Sequence, residues 1–147
     1  MDDSFYSQPM PAFASGSIGQ HIRHVLDHYQ AVVNVANGVI DYDRRRRDVR
    51  LESCKQLALA EIQQTIDVLT HLEDGAVRVH SEVSPSDKVV VEVHSTIKRE
   101  LLFVTSHAVH HFALIALLLR LQGVVVPDSF GVAPATLTHQ RTHCSAM

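Results

Sequence analysis

The chain has 147 residues, of which 46% are hydrophobic and 20% charged, and this balance fits one soluble domain and excludes a wholly disordered chain. The formal net charge of −3 argues against a nucleic-acid-binding surface, and two cysteines, Cys54 and Cys144, do not make a disulfide framework. The unusual count is 11 histidines, which directs attention to metal binding or proton transfer.

The predicted elements begin after an irregular lead-in over residues 1–16, which is rich in Ser, Pro and Gly. Ser17 and Gln20 form a capping-box pattern, and apolar residues then recur at helical spacing as far as Asn37. A charged connection over residues 38–50 follows. It separates this first helix from the rest of the chain.

A second helical pattern covers residues 51–72. Two valine-rich stretches, 76–80 and 88–93, are separated by Ser-Pro-Ser-Asp and predict a small β-hairpin. A third helix, opened by Ser95 or Thr96 and about 25 residues long, ends at Gly123. The tail is mostly irregular, with room for one short helix after Pro134. These patterns predict an all-α helical bundle whose fourth helix comes from the tail, the lead-in or another subunit.

Two of the predicted helices carry clustered histidines. The first helix places His21, His24 and His28 on one side, next to its apolar stripe. The third helix carries His107 and His111 four residues apart, which places both on one face together with Glu100. His110 lies toward the flank of that face.

This arrangement suits a metal ion. Two histidines at i and i+4 present two nitrogens to one ion, and a histidine from a neighbouring helix completes a three-nitrogen set with open coordination positions. A divalent ion lowers the pKa of bound water from about 15.7 to roughly 7, which provides a nucleophile at neutral pH. A single histidine on an apolar face, by contrast, is usually a core residue with one hydrogen bond.

Four segments resemble the DinB/YfiT-like superfamily of metal-dependent enzymes. They are SIGQHIRHVLDHY (17–29), IDYDRRRRD (40–48), ELLFVTSHAVHHFALI (100–115) and GVAPATL (131–137). The resemblance implies an up-down-down-up four-helix bundle, here with a small β-hairpin insert and a truncated first helix. The predicted organisation has three units, namely the lead-in at 1–16, a bundle domain at 17–139 to which the resemblance applies, and a flexible tail at 140–147.

The resemblance further implies the metal ligands. Carried over by position, the family's ligand triad falls on His24, His107 and His111, with zinc or nickel as the metal. His28 competes with His24 as the third ligand, and His21 and His110 are placed around the metal ligands. Asp27 either orients an imidazole or faces solvent.

Further candidates surround these histidines. Glu100 is a candidate catalytic residue, as an acceptor near the metal, a fourth ligand or a general base, and Tyr42 is a second one. Arg44 and Asp43 are candidates for substrate binding, since the run Arg44 to Arg47 could hold a carboxylate or phosphate. A solvated connection is the alternative interpretation of that run.

The expected function is that of a metal-dependent transferase or hydrolase acting on a small molecule, with a low-molecular-weight thiol as a cosubstrate in the transferase case. The alternative is a non-catalytic, metal-stabilised dimer or a small-ligand binding protein. The expected partners are a small-molecule substrate and a second copy in a homodimer, with neither nucleic acid nor membrane. The N-terminus lacks the pattern of a signal peptide, which predicts a cytoplasmic location.

Overall fold

The computed structural model describes residues 3–9 and 16–144. Its elements in chain order are the helices and strands α1 (Asp3–Ser7), α2 (Ile18–Val33), β1 (Val39–Asp41), α3 (Arg50–Ser53), α4 (Lys55–Leu69), β2 (Ala76–Glu82), β3 (Val90–Thr96), α5 (Ile97–Leu121) and α6 (Pro134–Cys144). The central element is α2, which packs against α1, α3, α4 and α5.

The expectation of an all-α fold is wrong, because the chain forms a three-stranded mixed sheet in the order β1-β2-β3. The predicted hairpin is present as the antiparallel pair β2–β3. The charged connection contributes β1, which pairs in parallel with β2, Val39 opposite Arg78. A three-residue strand has too little alternation to be detected, and its partner lies far along the chain. The fold is therefore mixed α/β.

The helix boundaries follow local capping. Ser17 caps α2 by accepting a hydrogen bond from the backbone N–H of Gln20, whose side chain accepts from the backbone N–H of Ser17. Thr96 caps α5 in the same way, through the N–H of Arg99. The pattern predicted at 51–72 is divided into α3 and α4, because Cys54 has an extended backbone.

The two chain ends carry more helix than the sequence indicates. The lead-in at 1–16 contains α1, and its residues 1, 2 and 10–15 lie outside the described part of the chain. The stretch predicted as a tail, 140–147, continues α6 as far as Cys144, and residues 145–147 lie outside the described part.

The core has two parts. One joins α1, α2, α3, α4 and α5 through buried side chains and is made up of Tyr6, Ile18, Leu26, Leu51, Ala58, Ile115 and Leu118. The other lies between the sheet, α2 and the first turns of α5, and is made up of Val32, Ile40, Val77, Val79, Ile97 and Val104. The second part fixes the start of α5 against α2 at the level of the predicted metal ligands.

The loop after α5 folds back onto that helix. Phe130 stacks on Phe112 with ring centroids 5.4 Å apart. Gly131 has φ +77°, and a Cβ atom there would lie 2.5 Å from the backbone N of Ala113. A side chain at this position would be excluded both by backbone conformation and by space.

One helix of the described residues, α5, is long and apolar enough to cross a membrane by length and composition alone. Its most apolar 18-residue window has a mean hydropathy of 1.8, and 28% of that window is buried within the protein. Central helices of soluble proteins have the same length and composition, so these properties alone do not establish a membrane span.

Candidate metal centre

Histidine rings from two helices meet where α2 packs against α5. The Nε2 atoms of His24 and His107 lie 2.8 Å apart, and those of His107 and His111 lie 3.2 Å apart. The helical face predicted for His107 and His111 therefore points toward α2. The three residues assigned as ligands by the resemblance come together in the folded chain.

A second set of three includes His28. One ring nitrogen from each of His24, His28 and His107 lies within 4.8 Å of the others, a spacing that allows them to hold one metal ion. The Nδ1 of His28 lies 2.7 Å from the backbone carbonyl oxygen of His24. Since a carbonyl oxygen only accepts, Nδ1 of His28 carries the proton and Nε2 keeps its lone pair for a metal.

The remaining two histidines occupy different positions. The Nδ1 of His21 faces the Nδ1 of His111 at 2.9 Å, so His21 extends the cluster along α2. The ring of His110 meets His111 edge-on at 5.4 Å between ring centroids, and none of the contacts found for it is to His24 or His107. His110 therefore lies at the flank, as the helical wheel predicts. We refer below to His21, His24, His28, His107 and His111 as the histidine cluster.

Four rings of the histidine cluster favour the neutral form. Burial, followed by repulsion from His28 and other nearby cations, lowers the pKa of His24 from 6.5 to about 3. Burial likewise lowers the pKa of His28 and of His111 to about 4 and shifts the pKa of His107 downward. A neutral imidazole is the form that donates a lone pair to a metal.

Arg45 lies beside the histidine cluster and was not singled out from the sequence. Its Nη1 donates to the carbonyl oxygen of Tyr42 at 2.6 Å, and its Nη2 lies 3.4 Å from Nδ1 of His24. The Nε of Arg45 is buried and has no hydrogen-bond partner. The run of four arginines was visible in the sequence. It lies in an irregular segment without periodicity, so the sequence does not show which arginine points toward the histidines.

Tyr42 and Glu100 support the histidine cluster from the side of the sheet. The ring of Tyr42 stacks on His28 with centroids 5.5 Å apart, and its hydroxyl donates to Oε2 of Glu100 at 2.8 Å. Glu100 is 1% exposed and also accepts from Ser95 Oγ at 2.5 Å and from Arg99 Nη1 at 2.8 Å. With three donors around it, this carboxylate orients Tyr42. Burial and Glu100 together raise the pKa of the Tyr42 hydroxyl, which keeps it protonated.

Phe103 is a further neighbour that the sequence did not suggest. Its ring stacks on His107 with centroids 6.2 Å apart and meets Tyr42 at 5.4 Å. Phe103 lies four residues before His107 on α5, and this i, i+4 spacing could have predicted the contact between the two rings.

Asp27 holds the arginine-rich connection against α2. It is 0% exposed, and its carboxylate pairs with Arg23 Nη1 at 3.2 Å and with Arg46 Nε at 3.1 Å. Arg46 also pairs with Glu61 of α4. These are contacts with guanidinium groups, so Asp27 anchors Arg46 rather than an imidazole.

The two residues proposed for substrate binding lie apart from the histidine cluster. Asp43 accepts a hydrogen bond from the backbone N–H of Glu82 at 2.6 Å, which attaches the connection to β2. The side chain of Arg44 is 75% exposed and lies 3.7 Å from the carboxylate of Asp41. The contacts found for both residues thus connect backbone segments near the sheet.

Comparison with known proteins gives one partial similarity. The chain is 32% identical over 105 residues to FK506-binding protein 5 of Rhizopus delemar, and the match covers 69% of this chain. It covers 27% of that protein, so the chain spans about a quarter of the relative's length. No protein-family model matches the chain, and no solved structure matches it significantly. The similarity is to one part of a longer protein.

Proposed function

We propose that the chain binds a divalent metal ion in the histidine cluster and acts as a metal-dependent enzyme of the DinB/YfiT-like kind on a small molecule. The observation that carries this proposal is the meeting of ring nitrogens from α2 and α5 at 2.8 and 3.2 Å. The residues 17–29 and 100–115, which supply these rings, are also the segments that resemble that family.

The donor set fits a metal ion. Two nitrogens bound to one ion at about 2.1 Å stand roughly 3.0 to 3.4 Å apart in octahedral or tetrahedral geometry, close to the spacings of the histidine cluster. Imidazole nitrogens suit zinc and nickel, and three of them leave positions open for a substrate. His24 and His107 belong to both possible triads, and His28 or His111 completes the set.

A divalent ion held here supplies Lewis acidity, which favours deprotonation of a thiol or a water molecule and so supports an S-transferase or a hydrolase reaction. The chain's own residues have separate tasks. The carbonyl of His24 fixes the tautomer of His28, and Tyr42 holds the plane of that ring. Glu100 in turn fixes the hydroxyl of Tyr42.

The second candidate is a protein that binds metal or a small ligand without turnover, as a homodimer. It is favoured by an apolar groove of about 220 Å³ between α2 and α4, which Phe112 of α5 also lines. Its lining is apolar apart from Tyr29 and Thr65 and is made up of Ile22, Val25, Leu26, Tyr29, Ile62, Thr65, Ile66, Leu69 and Phe112. A ligand there would need no chemistry from the histidine cluster.

The first test is the metal content of the purified protein. We expect about one zinc or nickel ion per chain, since one set of nitrogens serves one ion. The triple variant His24→Ala, His107→Ala, His111→Ala should lose it, because two rings shared by both triads are gone. His94→Ala, which removes an exposed histidine of β3, is the matched control and should retain the metal. Equal metal content in the triple variant and the control would refute the proposed site.

The second measurement separates turnover from binding. The metal-loaded protein is screened with small thiols and model electrophiles, and with ester and amide substrates. Turnover that disappears in the triple variant supports the enzyme, whereas bound metal without any turnover favours the second candidate.

A further inference from the structure

The guanidinium of Arg45 is the one in its arginine run that faces the histidine cluster. Arg46 pairs with Asp27 and Glu61, and Arg44 pairs with Asp41. Among the described residues, Arg45 forms no ion pair with a carboxylate, and its polar contacts are the carbonyl of Tyr42 and the ring of His24. Arg45 is half-buried, and its Nε–H is buried without a hydrogen-bond partner. This arrangement lowers the stability of the fold, because the hydrogen bond that Nε–H made to water in the unfolded chain is not replaced.

Metal binding changes the hydrogen bonding between Arg45 and His24. The nitrogen of His24 that points to His107 is Nε2, so a neutral His24 that used Nε2 as a ligand would keep its proton on Nδ1. Nδ1–H would then face Nη2 of Arg45, 3.4 Å away, and both groups are donors. One acceptor within reach of both Nδ1–H of His24 and Nη2–H of Arg45 would accept a hydrogen bond from each. A negatively charged oxygen is the acceptor that a guanidinium binds best.

We propose that Arg45 and Nδ1 of His24 bind a negatively charged oxygen group of the substrate, a carboxylate or a phosphate, next to the histidine cluster. This inference rests on the proposed function, and it names the substrate as a small organic anion. The edge of the guanidinium formed by Nε and Nη2 has no carboxylate partner, and this edge binds two oxygens of one anion side by side.

A cavity of about 300 Å³ lies against Arg45 and is lined by Arg44, Arg45 and Arg46 together with the amides of Gln30 and Asn34. Its lining residues do not include His24. Asp41 is its one acidic lining residue. Arg46 is paired with Asp27 and Glu61, and Arg44 is paired with Asp41. Arg45 is therefore the lining cation without a carboxylate partner, and its charge favours an anion over a neutral or cationic molecule.

The test measures anion binding and metal content on the same samples. Acetate and inorganic phosphate are titrated separately into zinc-loaded protein, and the Nε–H NMR signal of Arg45 is followed. The variants are Arg45→Gln, Arg45→Lys, and Arg47→Gln as the matched control, which removes an exposed cation two residues away. Unchanged backbone spectra show that each variant is folded.

We expect the signal of Arg45 to shift, and the Kd for at least one anion to rise about tenfold or more in Arg45→Gln. Arg47→Gln should bind like the wild type, and Arg45→Lys should lie between, since it keeps the charge without the fork. A stronger response to acetate identifies a carboxylate substrate, and a stronger response to phosphate identifies a phosphate ester.

Two results would overturn the inference, namely equal Kd values in the wild type and Arg45→Gln, or an unshifted Arg45 signal at saturating anion. Elemental analysis keeps the two proposals apart. A wild-type protein that takes up no metal refutes the proposed function. The anions are then titrated into the metal-free protein, and the difference in Kd between Arg45→Gln and Arg47→Gln decides the role of Arg45.

Discussion

At the residue scale, the crowding of imidazoles between α2 and α5 has a cost that depends on pH. The rings of His24, His28, His107 and His111 are partly removed from water and lie near one another, and Arg45 lies beside His24. A proton added to one of these four rings is therefore opposed by its neighbours. The same low pKa values would favour metal binding as proposed, because few protons compete with a metal ion for the ring nitrogens.

The metal-free protein should therefore lose stability as the pH falls from about 6.5 toward 4. The folded pKa values of His28 and His111 are about 4, and that of His24 is about 3, against 6.5 for a free histidine. In this window the unfolded chain binds more protons than the folded one, so the free energy of unfolding decreases. We expect a fall of about 2 kcal/mol or more, measured by urea denaturation between pH 7.5 and 4.5.

The control for this prediction is His94→Gln, which changes an exposed histidine and should keep the same pH dependence. The double variant His24→Gln, His28→Gln should show a shallower fall, since two of the low-pKa groups are gone. A wild-type stability that is flat across this window contradicts the assignment of neutral, crowded rings.

The sequence predicted which histidine rings lie close together, but not the hydrogen bonds around them. The i, i+4 spacing of His107 and His111, with His24 beside an apolar stripe, was sufficient to predict that these three rings are neighbours. The tautomer of His28 depends on a carbonyl one turn earlier, and the position of Arg45 depends on an irregular backbone. Neither follows a periodic rule, so neither could be read from the sequence.

At the element scale, the first turn of α5 is joined to the sheet and to the connection through Glu100. Its carboxylate accepts from Ser95 at the end of β3, from Tyr42 after β1, and from Arg99 next to it on the helix. One buried side chain thus joins the connection after β1 to the junction of β3 and α5. A buried carboxylate with several donors is more costly to alter than an exposed one.

Glu100→Gln should lower the free energy of unfolding by about 1 to 3 kcal/mol, because an amide replaces one accepting oxygen with a donor and loses the charge-assisted bonds. It should also weaken metal binding, since Tyr42 no longer holds the ring of His28. Urea denaturation and zinc titration measure the two effects. Glu73→Gln, an exposed acid of the loop before β2, is the matched control and should change neither. Equal stability of both variants would contradict the role assigned to Glu100.

Long elements with strong periodicity were predictable from the sequence, and short ones were not. The cores of α2, α4 and α5 follow apolar spacing, and the β2–β3 hairpin follows its valines and turn residues. The strand β1 has three residues and depends on pairing with β2, and the break at Cys54 has no Gly or Pro to indicate it. The mixed sheet, and with it the fold class, was therefore missed.

At the scale of the whole molecule, much apolar surface is left uncovered by the described residues. Leu102 is 73% exposed on α5, Leu59 is 58% exposed on α4, and Val93 is 54% exposed on β3. The apolar groove between α2 and α4 adds to this surface. Contiguous apolar surface on a folded domain usually marks an interaction site.

We propose that a second copy of the chain covers part of this surface in a homodimer. Light scattering at micromolar concentration should give about twice the mass of one chain. Ile66→Glu, which places a charge in the groove, should shift the protein toward the monomer, whereas Val125→Glu, at a position that is 96% exposed, should not. A wild-type particle of 16.3 kDa, the mass of one chain, would contradict the dimer.

The ion pair between Asp27 and Arg46 makes the geometry of the site depend on Asp27, a residue that is not a candidate metal ligand. Arg46 is held by Asp27, and Arg45, its neighbour in sequence, reaches Nδ1 of His24. If Arg45 binds the substrate as proposed, a change at Asp27 should alter selectivity among small anions, although Asp27 contacts Arg46 and not the anion.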